Sequence, residues 1–179
     1  NRCRRQRQMC IRDRVMDRMA GQTIRIEHAC EAAMLMSDNT AANIVLRSIG
    51  GPQGVTKFLR SIGDKITRLD RFEPTLNEAN PSDKQDTTTP NAMVNTLNTL
   101  LESDALSYES RIQLKIWMQD NKVSDSLIRS VLSKGWSIAD RSGAGGFGSR
   151  GITAMIWREN HRPIYISIYI TETDLSLQA

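Results

Sequence analysis

The sequence predicts an α+β fold, a block of helices followed by an antiparallel sheet, on three observations. Apolar residues recur at helical spacing between residues 23 and 132, the period changes from 3.6 to 2 after Gly135, and the strands follow one another instead of alternating with helices. The 179 residues are 39% hydrophobic and 25% charged, a composition that supports a packed core and argues against a disordered chain. No run approaches the roughly 18 consecutive apolar residues of a membrane-spanning helix, and the first residues are polar where a signal peptide is apolar. Neither a membrane span nor an intact signal peptide is predicted.

The first helix is predicted from Thr23, a candidate cap, to Met36, with Ile24, Ala29, Ala32, Ala33 and Met36 on its apolar face. Ser37-Asp38-Asn39 interrupts it and offers side-chain caps to a second helix, Thr40 to Ser48, ended by Gly50-Gly51. Pro52 suits the first turn of a third helix, whose Val55, Phe58, Leu59 and Ile62 form one stripe up to Gly63. Residues 64 to 88 keep no period and carry two prolines among Asp, Asn and Thr, which marks a long working loop of the Ω type. Helices resume at Thr89-Pro90 (Met93, Leu97, Leu100, Leu101), from Leu106 to Met118, and from Asp125 to Leu132.

Beyond Gly135, three alternating runs predict strands: Trp136, Ile138 and Asp140; Ile152, Ala154 and Ile156; then Ile164, Ile166, Ile168 and Ile170. Glu159-Asn160-His161-Arg162 turns the second into the third, and the last is expected to run almost to Ala179. The division that results is a mostly helical domain over 15–132, including the loop 64–88, and antiparallel strands over 133–179.

The net charge of +4 suggests nucleic-acid binding until its position is considered. Residues 1–14 hold six arginines and one acid, leaving 18 basic against 19 acidic residues in the remainder. The body therefore predicts no nucleic-acid partner, and Met9-Cys10-Ile11-Arg12-Asp13-Arg14 reads as a translated sequencing adapter, a non-native tail. Two of the three cysteines, Cys3 and Cys10, lie in that tail. Cys30 is left alone in the body, either a small buried residue or half of a disulfide.

Metal chemistry has little support: His28 and His161 are the only histidines, and no Cys or His pair stands at ligand spacing, so no metal is predicted. Gly143-Ala144-Gly145-Gly146-Phe147-Gly148 satisfies G-x-G-x-x-G, but a strand follows where a dinucleotide site needs a helix. It reads as a glycine hairpin between strands, whose glycines also allow a ligand to lie close to the strand backbone.

Three polar motifs remain: Ser37-Asp38-Asn39, Glu73-Pro74-Thr75-Leu76-Asn77 and Arg141-Ser142-Gly143. Each alone is a cap, a turn or a strand end. In this order, and within the strings SDNTAAN, TRLDRFEPTLNEA, DTTTP and ADRSGAGGFGSRGITAMIW, they resemble the class A serine β-lactamases from about residue 15 to 174. The resemblance implies a β-lactamase/transpeptidase-like fold and hydrolysis of the β-lactam ring through a serine acyl-enzyme. It implies further that Glu73, with Asn77, activates the hydrolytic water, and that Ser37 relays a proton to the β-lactam nitrogen. Ala144 would lend a backbone N–H to the oxyanion, Asn39 would orient the substrate's side-chain amide, and Arg141, Ser142, Gly143 and Arg150 would hold the substrate carboxylate.

Two departures qualify the resemblance. Arg141-Ser142-Gly143 stands where most of the family has Lys-Thr-Gly, a form similar to the carbenicillin-hydrolysing branch. No serine lies three positions before any lysine, so the S-x-x-K nucleophile is absent from the chain. The resemblance therefore implies a β-lactamase truncated at both ends and inactive alone, with Cys30 as half of a helix-linking disulfide. It also implies that no cofactor is needed, a small-molecule β-lactam as partner, a periplasmic or secreted location, and a monomer when complete. A catalytically dead β-lactam-binding module and a penicillin-recognising peptidase are the alternatives.

Overall fold

The computed structural model describes residues 15–19, 21 and 23–174. The arginine-rich tail with Cys3 and Cys10 lies outside them, as do the last five residues.

Helix α1 spans Ile26–Met36, starting later than expected because extended Arg25, which makes no side-chain cap, stands at the N-cap instead of Thr23. Helix α2 spans Asn39–Ser48, and Asp38 caps it by accepting the Ala41 amide at 2.9 Å. The two helices meet through small side chains: Ala29, Ala32 and Ala41 are buried together with Met16 of the preceding segment. Helix α3 (Gly51–Ser61) has Pro52 in its first turn and buries Leu59, but Phe58 of the expected stripe remains exposed.

Helix α4 (Pro90–Glu102) is capped by Thr89 on the Ala92 amide, and α5 (Tyr108–Gln119) by Ser107 on the Ser110 amide. The helix expected over 125–132 is a single turn, α6 (Ile128–Val131). Leu127, at φ −96° and ψ −131°, is outside the helical region and prevents an earlier start.

Strands β1 (Trp136–Ala144), β2 (Arg150–Arg158) and β3 (Ile164–Ile170) form an antiparallel sheet in sequence order. Its register pairs Arg141 with Thr153 and Thr153 with Ser167. One face, carrying Ala139, Met155, Trp157 and Tyr165, packs on Leu97 of α4 and Met118 of α5. The opposite face is uneven: Ile152, Ala154 and Ile156 are buried, whereas Ile164, Ile168 and Ile170 are nearly half exposed. Strand β3 also stops at Ile170, short of the expected extent. The chain bends at Glu172, φ 53°, where its amide donates to the Phe147 carbonyl at 2.8 Å.

Asp64 fastens the start of the long loop to α4. Its carboxylate accepts the amides of Ile66 and Thr67, each at 2.8 Å, and the Thr96 hydroxyl at 2.7 Å. Burial disfavours the ionised carboxyl, but the hydrogen bonds from Thr67, Thr96 and Ile66 outweigh it and hold the pKa at about 2 against an ordinary 3.8. A depressed carboxyl pKa contributes stability that is complete above the unfolded value and is lost as pH falls through the folded one. Asp64→Asn should therefore cost about 1 kcal/mol at neutral pH, solvent screening trimming the full value of the shift. Urea denaturation between pH 5 and pH 2 should show the mutant's deficit shrinking as pH falls.

Candidate active site

Ser37 ends α1 in a left-handed conformation, φ 54° and ψ 40°. For a non-glycine residue that geometry costs about 1 kcal/mol or more and persists only where neighbours hold it. The neighbours are Asp38 and Arg141. Asp38 is fully buried and accepts three backbone amides, those of Val15, Met16 and Ala41 at 3.1, 3.1 and 2.9 Å. It thereby joins the segment before α1 to the start of α2, with Ser37 fixed at the corner.

Arg141 reaches from β1 to the same corner. Its Nη2 donates to Ser37 Oγ at 2.7 Å and to the Ala33 carbonyl at 3.3 Å, and its Nη1 donates to the Met34 carbonyl and to Asn121 Oδ1, the last at 3.3 Å. The two carbonyls belong to the last turn of α1, where free acceptors and the negative end of the helix dipole favour a cation. Burial depresses the guanidinium pKa, and the charge of Asp140 opposes that shift. The resemblance predicted Arg141 as a substrate-carboxylate partner; its Nη donors are engaged within the protein, and they aim the Ser37 hydroxyl.

Glu73 is positioned from two directions. The Asn43 side-chain amide of α2 accepts the Glu73 N–H and donates to the Glu73 carbonyl, both at 2.9 Å. Asn77, in the 3-10 turn Thr75–Asn77, donates through Nδ2 to Glu73 Oε2. The neck of the loop is closed by Asp86, which accepts the Asp70 amide at 2.7 Å, the Arg71 amide at 3.0 Å and Arg71 Nε at 2.5 Å. Arg71 extends to Asp83 and Glu78 at 3.3 and 3.2 Å, so one cation serves three acids inside the loop.

The glycine hairpin rests on this loop. The Gly146 amide donates to the Asn77 carbonyl at 2.7 Å, and a Cβ on Gly146 would lie 2.2 Å from the Glu78 carbonyl oxygen. At Gly145 and Gly146 it is the loop of the same chain, where a ligand was expected, that lies against the backbone. Gly146→Ala should lift the loop off the sheet. Hydrogen exchange at Asn77–Ala79 should quicken by roughly tenfold or more, while the amides of α4 and α5 keep their rates.

An open cavity of about 660 Å³ lies between the loop and the β1–β2 hairpin. Of the residues singled out by sequence, Asn77, Arg141, Ser142, Gly143, Ala144 and Arg150 line it. Glu73 connects to it through Asn77, and Ser37 through Arg141. Arg150 donates from Nη1 to the Ser149 carbonyl at 2.8 Å, and its buried Nε has no hydrogen-bond partner among the described residues. Asn39 is buried at the start of α2, and Cys30 is a partly buried free thiol on α1, its pKa raised by burial and by Glu27. Neither lines the cavity. His28 and His161 are exposed, and no group of potential metal ligands occurs among the described residues.

Sequence reasoning missed Asn43, Asp86, Arg71 and Asn121. The contacts Arg71–Asp86, Asn121–Arg141 and Asn43–Glu73 span 15, 20 and 30 residues. Asn43 did stand within SDNTAAN, whose helical period places it four residues after Asn39.

Residues 9–178 match the model of the beta-lactamase enzyme family. Among curated proteins the chain is similar to beta-lactamase CARB-4 of Pseudomonas aeruginosa, 56% identical over 163 residues that cover 91% of this chain and 57% of the relative. Beta-lactamase PSE-4 of the same organism is 55% identical over 92% of this chain and 57% of its own length. Among solved structures, the chromosome-encoded beta-lactamase of Vibrio parahaemolyticus is 78% identical with a TM-score of 0.92, covering 94% of this chain and 64% of that one. An ancestral Gram-negative class A beta-lactamase is 47% identical with a TM-score of 0.91, over 93% of this chain and 64% of that one. The chain spans a little over half the length of the curated relatives it matches.

Proposed function

The chain belongs to the class A β-lactamase family, and on that premise we infer that the whole protein hydrolyses the β-lactam ring of penicillins through a serine acyl-enzyme. The nucleophile is not among these 179 residues, since none of the six lysines has a serine three positions before it. What these residues contribute is the deacylating base, the proton relay and the substrate cradle.

In the first half of the reaction the serine oxygen attacks the β-lactam carbonyl and the ring C–N bond breaks; the proton lost by the attacking serine is relayed through the Ser37 hydroxyl, which gives its own proton to the departing nitrogen and takes up the other. Ala144 donates its backbone N–H to the carbonyl oxygen as negative charge builds there. Arg150, which lines the cavity, binds the substrate carboxylate beside Ser142 and Gly143. Arg141 adds a positive field at the same wall, and Asn39 donates to the substrate's side-chain amide. In the second half Glu73 accepts a proton from a water held jointly with Asn77. The hydroxide attacks the ester, and the serine leaves with that proton.

The observation that supports this reading most strongly is the Glu73–Asn77 pair, clamped by Asn43 and closed over the strand that carries Ala144. A carboxylate held that firmly beside an amide donor suits repeated turnover better than one-time capture of a drug. Cys30 is proposed as a disulfide half and the location as periplasmic or secreted; no helix among the described residues is long and apolar enough to cross a membrane. The test is hydrolysis of benzylpenicillin and a chromogenic cephalosporin by the full-length protein. Many turnovers per molecule are expected, and stoichiometric covalent labelling without turnover would overturn the proposal in favour of a binding module.

A further inference from the structure

Asn121 follows the end of α5 and is almost wholly buried. Its side chain spends every hydrogen-bonding site it has. Nδ2 donates to Ser124 Oγ at 2.7 Å and to the Asp140 carbonyl at 3.1 Å, while Oδ1 accepts the Val123 amide at 3.1 Å and Arg141 Nη1 at 3.3 Å. The Val123 amide can only donate and the Asp140 carbonyl can only accept, so the amide has one orientation. Its oxygen must face the guanidinium.

The acceptors around the Arg141 Nη atoms are all neutral: two carbonyls of α1, the Ser37 hydroxyl and the Asn121 amide oxygen. The charged group acting on Arg141 is Asp140, next to it on β1; that carboxylate pairs through Oδ1 with Arg129 Nε at 2.7 Å, and its Oδ2 has no hydrogen-bond partner among the described residues. The positive charge at the cavity wall is therefore held in place without being neutralised. An acidic residue at position 121 would fit the same space and hold the guanidinium as well, but would cancel its field.

We propose that Asn121 is a positioning and specificity-determining residue, which pins the Arg141 guanidinium with a neutral acceptor and so preserves its charge for anionic substrates. The substrate class in this inference rests on the proposed β-lactam hydrolysis; the pinning of Arg141 does not.

The test compares the full-length protein with its N121D variant on benzylpenicillin and on benzylpenicillin methyl ester. At pH 8 N121D should raise KM for the free acid about tenfold, the scale of one charge-assisted contact, with kcat within about twofold and KM for the ester unchanged. Nitrogen-detected NMR of the arginine guanidinium groups provides a readout that needs no turnover: the Arg141 Nη resonances should shift in N121D relative to the parent, as a charged acceptor replaces the neutral one. Equal effects on acid and ester, or an Arg141 resonance that does not respond, would overturn the proposal. A parent protein that turns over neither compound would sink the β-lactamase reading and leave the NMR comparison to decide the positioning claim. If N121D fails to fold, Asn121→Ser removes the acceptor without adding charge. It should speed exchange of the Arg141 Nη protons, and unchanged exchange would contradict the pinning.

Discussion

Glu73→Gln in the full-length protein is expected to lower kcat for benzylpenicillin by about 10²- to 10⁴-fold, the range in which a positioned general base contributes. The substitution keeps the length and planarity of the side chain, and its amide oxygen can still accept from Asn77 Nδ2. It also leaves untouched the backbone of residue 73, which Asn43 holds through two hydrogen bonds. What disappears is the capacity to take a proton from water. Because the roles proposed for Ser37, Ala144 and Arg150 fall in the first half of the reaction, ring opening should persist at a rate nearer the parent's, and KM should fall as the acyl-enzyme accumulates. A mutant that lost both halves equally would point to a collapsed loop, which thermal denaturation and hydrogen exchange over 70–86 would detect.

Asp86→Asn is expected to have the second largest effect, through position instead of chemistry. The Asp86 carboxylate ties the Asp70 and Arg71 amides and the Arg71 guanidinium into the neck of the loop. An amide cannot replace it, since its NH2 would face Arg71 Nε, donor against donor. Freed at the neck, Arg71 keeps Asp83 and Glu78, and Glu73 keeps Asn43, so the loop should loosen without leaving the protein. A displacement of about 1 Å at a catalytic group far from the change costs roughly 10²-fold. Turnover should fall by that order, with hydrogen exchange faster across residues 71–86 and the amides of α4 and β3 unaffected. Fast exchange confined to that segment together with unchanged turnover would show that the loop's closure does not position the base.

The fold was legible where local chemistry decides it. Asp38 and Thr89 announced their helices because a short acceptor side chain before a helix has one good use, capping. The loop 64–88 was visible as a loss of period, and the sheet as a period of two. Legibility failed where an outcome depends on distant partners. Alternation alone suggests that the isoleucines of β3 sit in the core; in the structure Tyr165 on the other face packs toward Leu97 and Met118, and Ile164, Ile168 and Ile170 remain nearly half exposed. A strand pattern shows that two faces differ, not which one the helices cover.

The site divides along the same line. Glu73, Asn77 and Ser37 could be singled out because each belongs to a short motif, and Glu73 and Asn77, four residues apart, do meet. Arg141 was legible as a cation but not as the group that caps α1 and aims Ser37, a contact across 104 residues. The glycines were legible as a place of close approach, and the loop that approaches them was not. Pairings such as Arg71–Asp86 and Asn43–Glu73 have no local signal, because nothing in either partner's neighbourhood in sequence specifies the other.

The most direct test of the account is intact-mass spectrometry of the full-length protein, parent and Glu73→Gln, mixed with benzylpenicillin and sampled over time. The account predicts that the parent carries no lasting adduct while penicillin is consumed, and that Glu73→Gln retains one covalently bound penicilloyl group for many parental turnover times. Clearance of the adduct at the parental rate, or no adduct on either protein while penicillin stays intact, would contradict it.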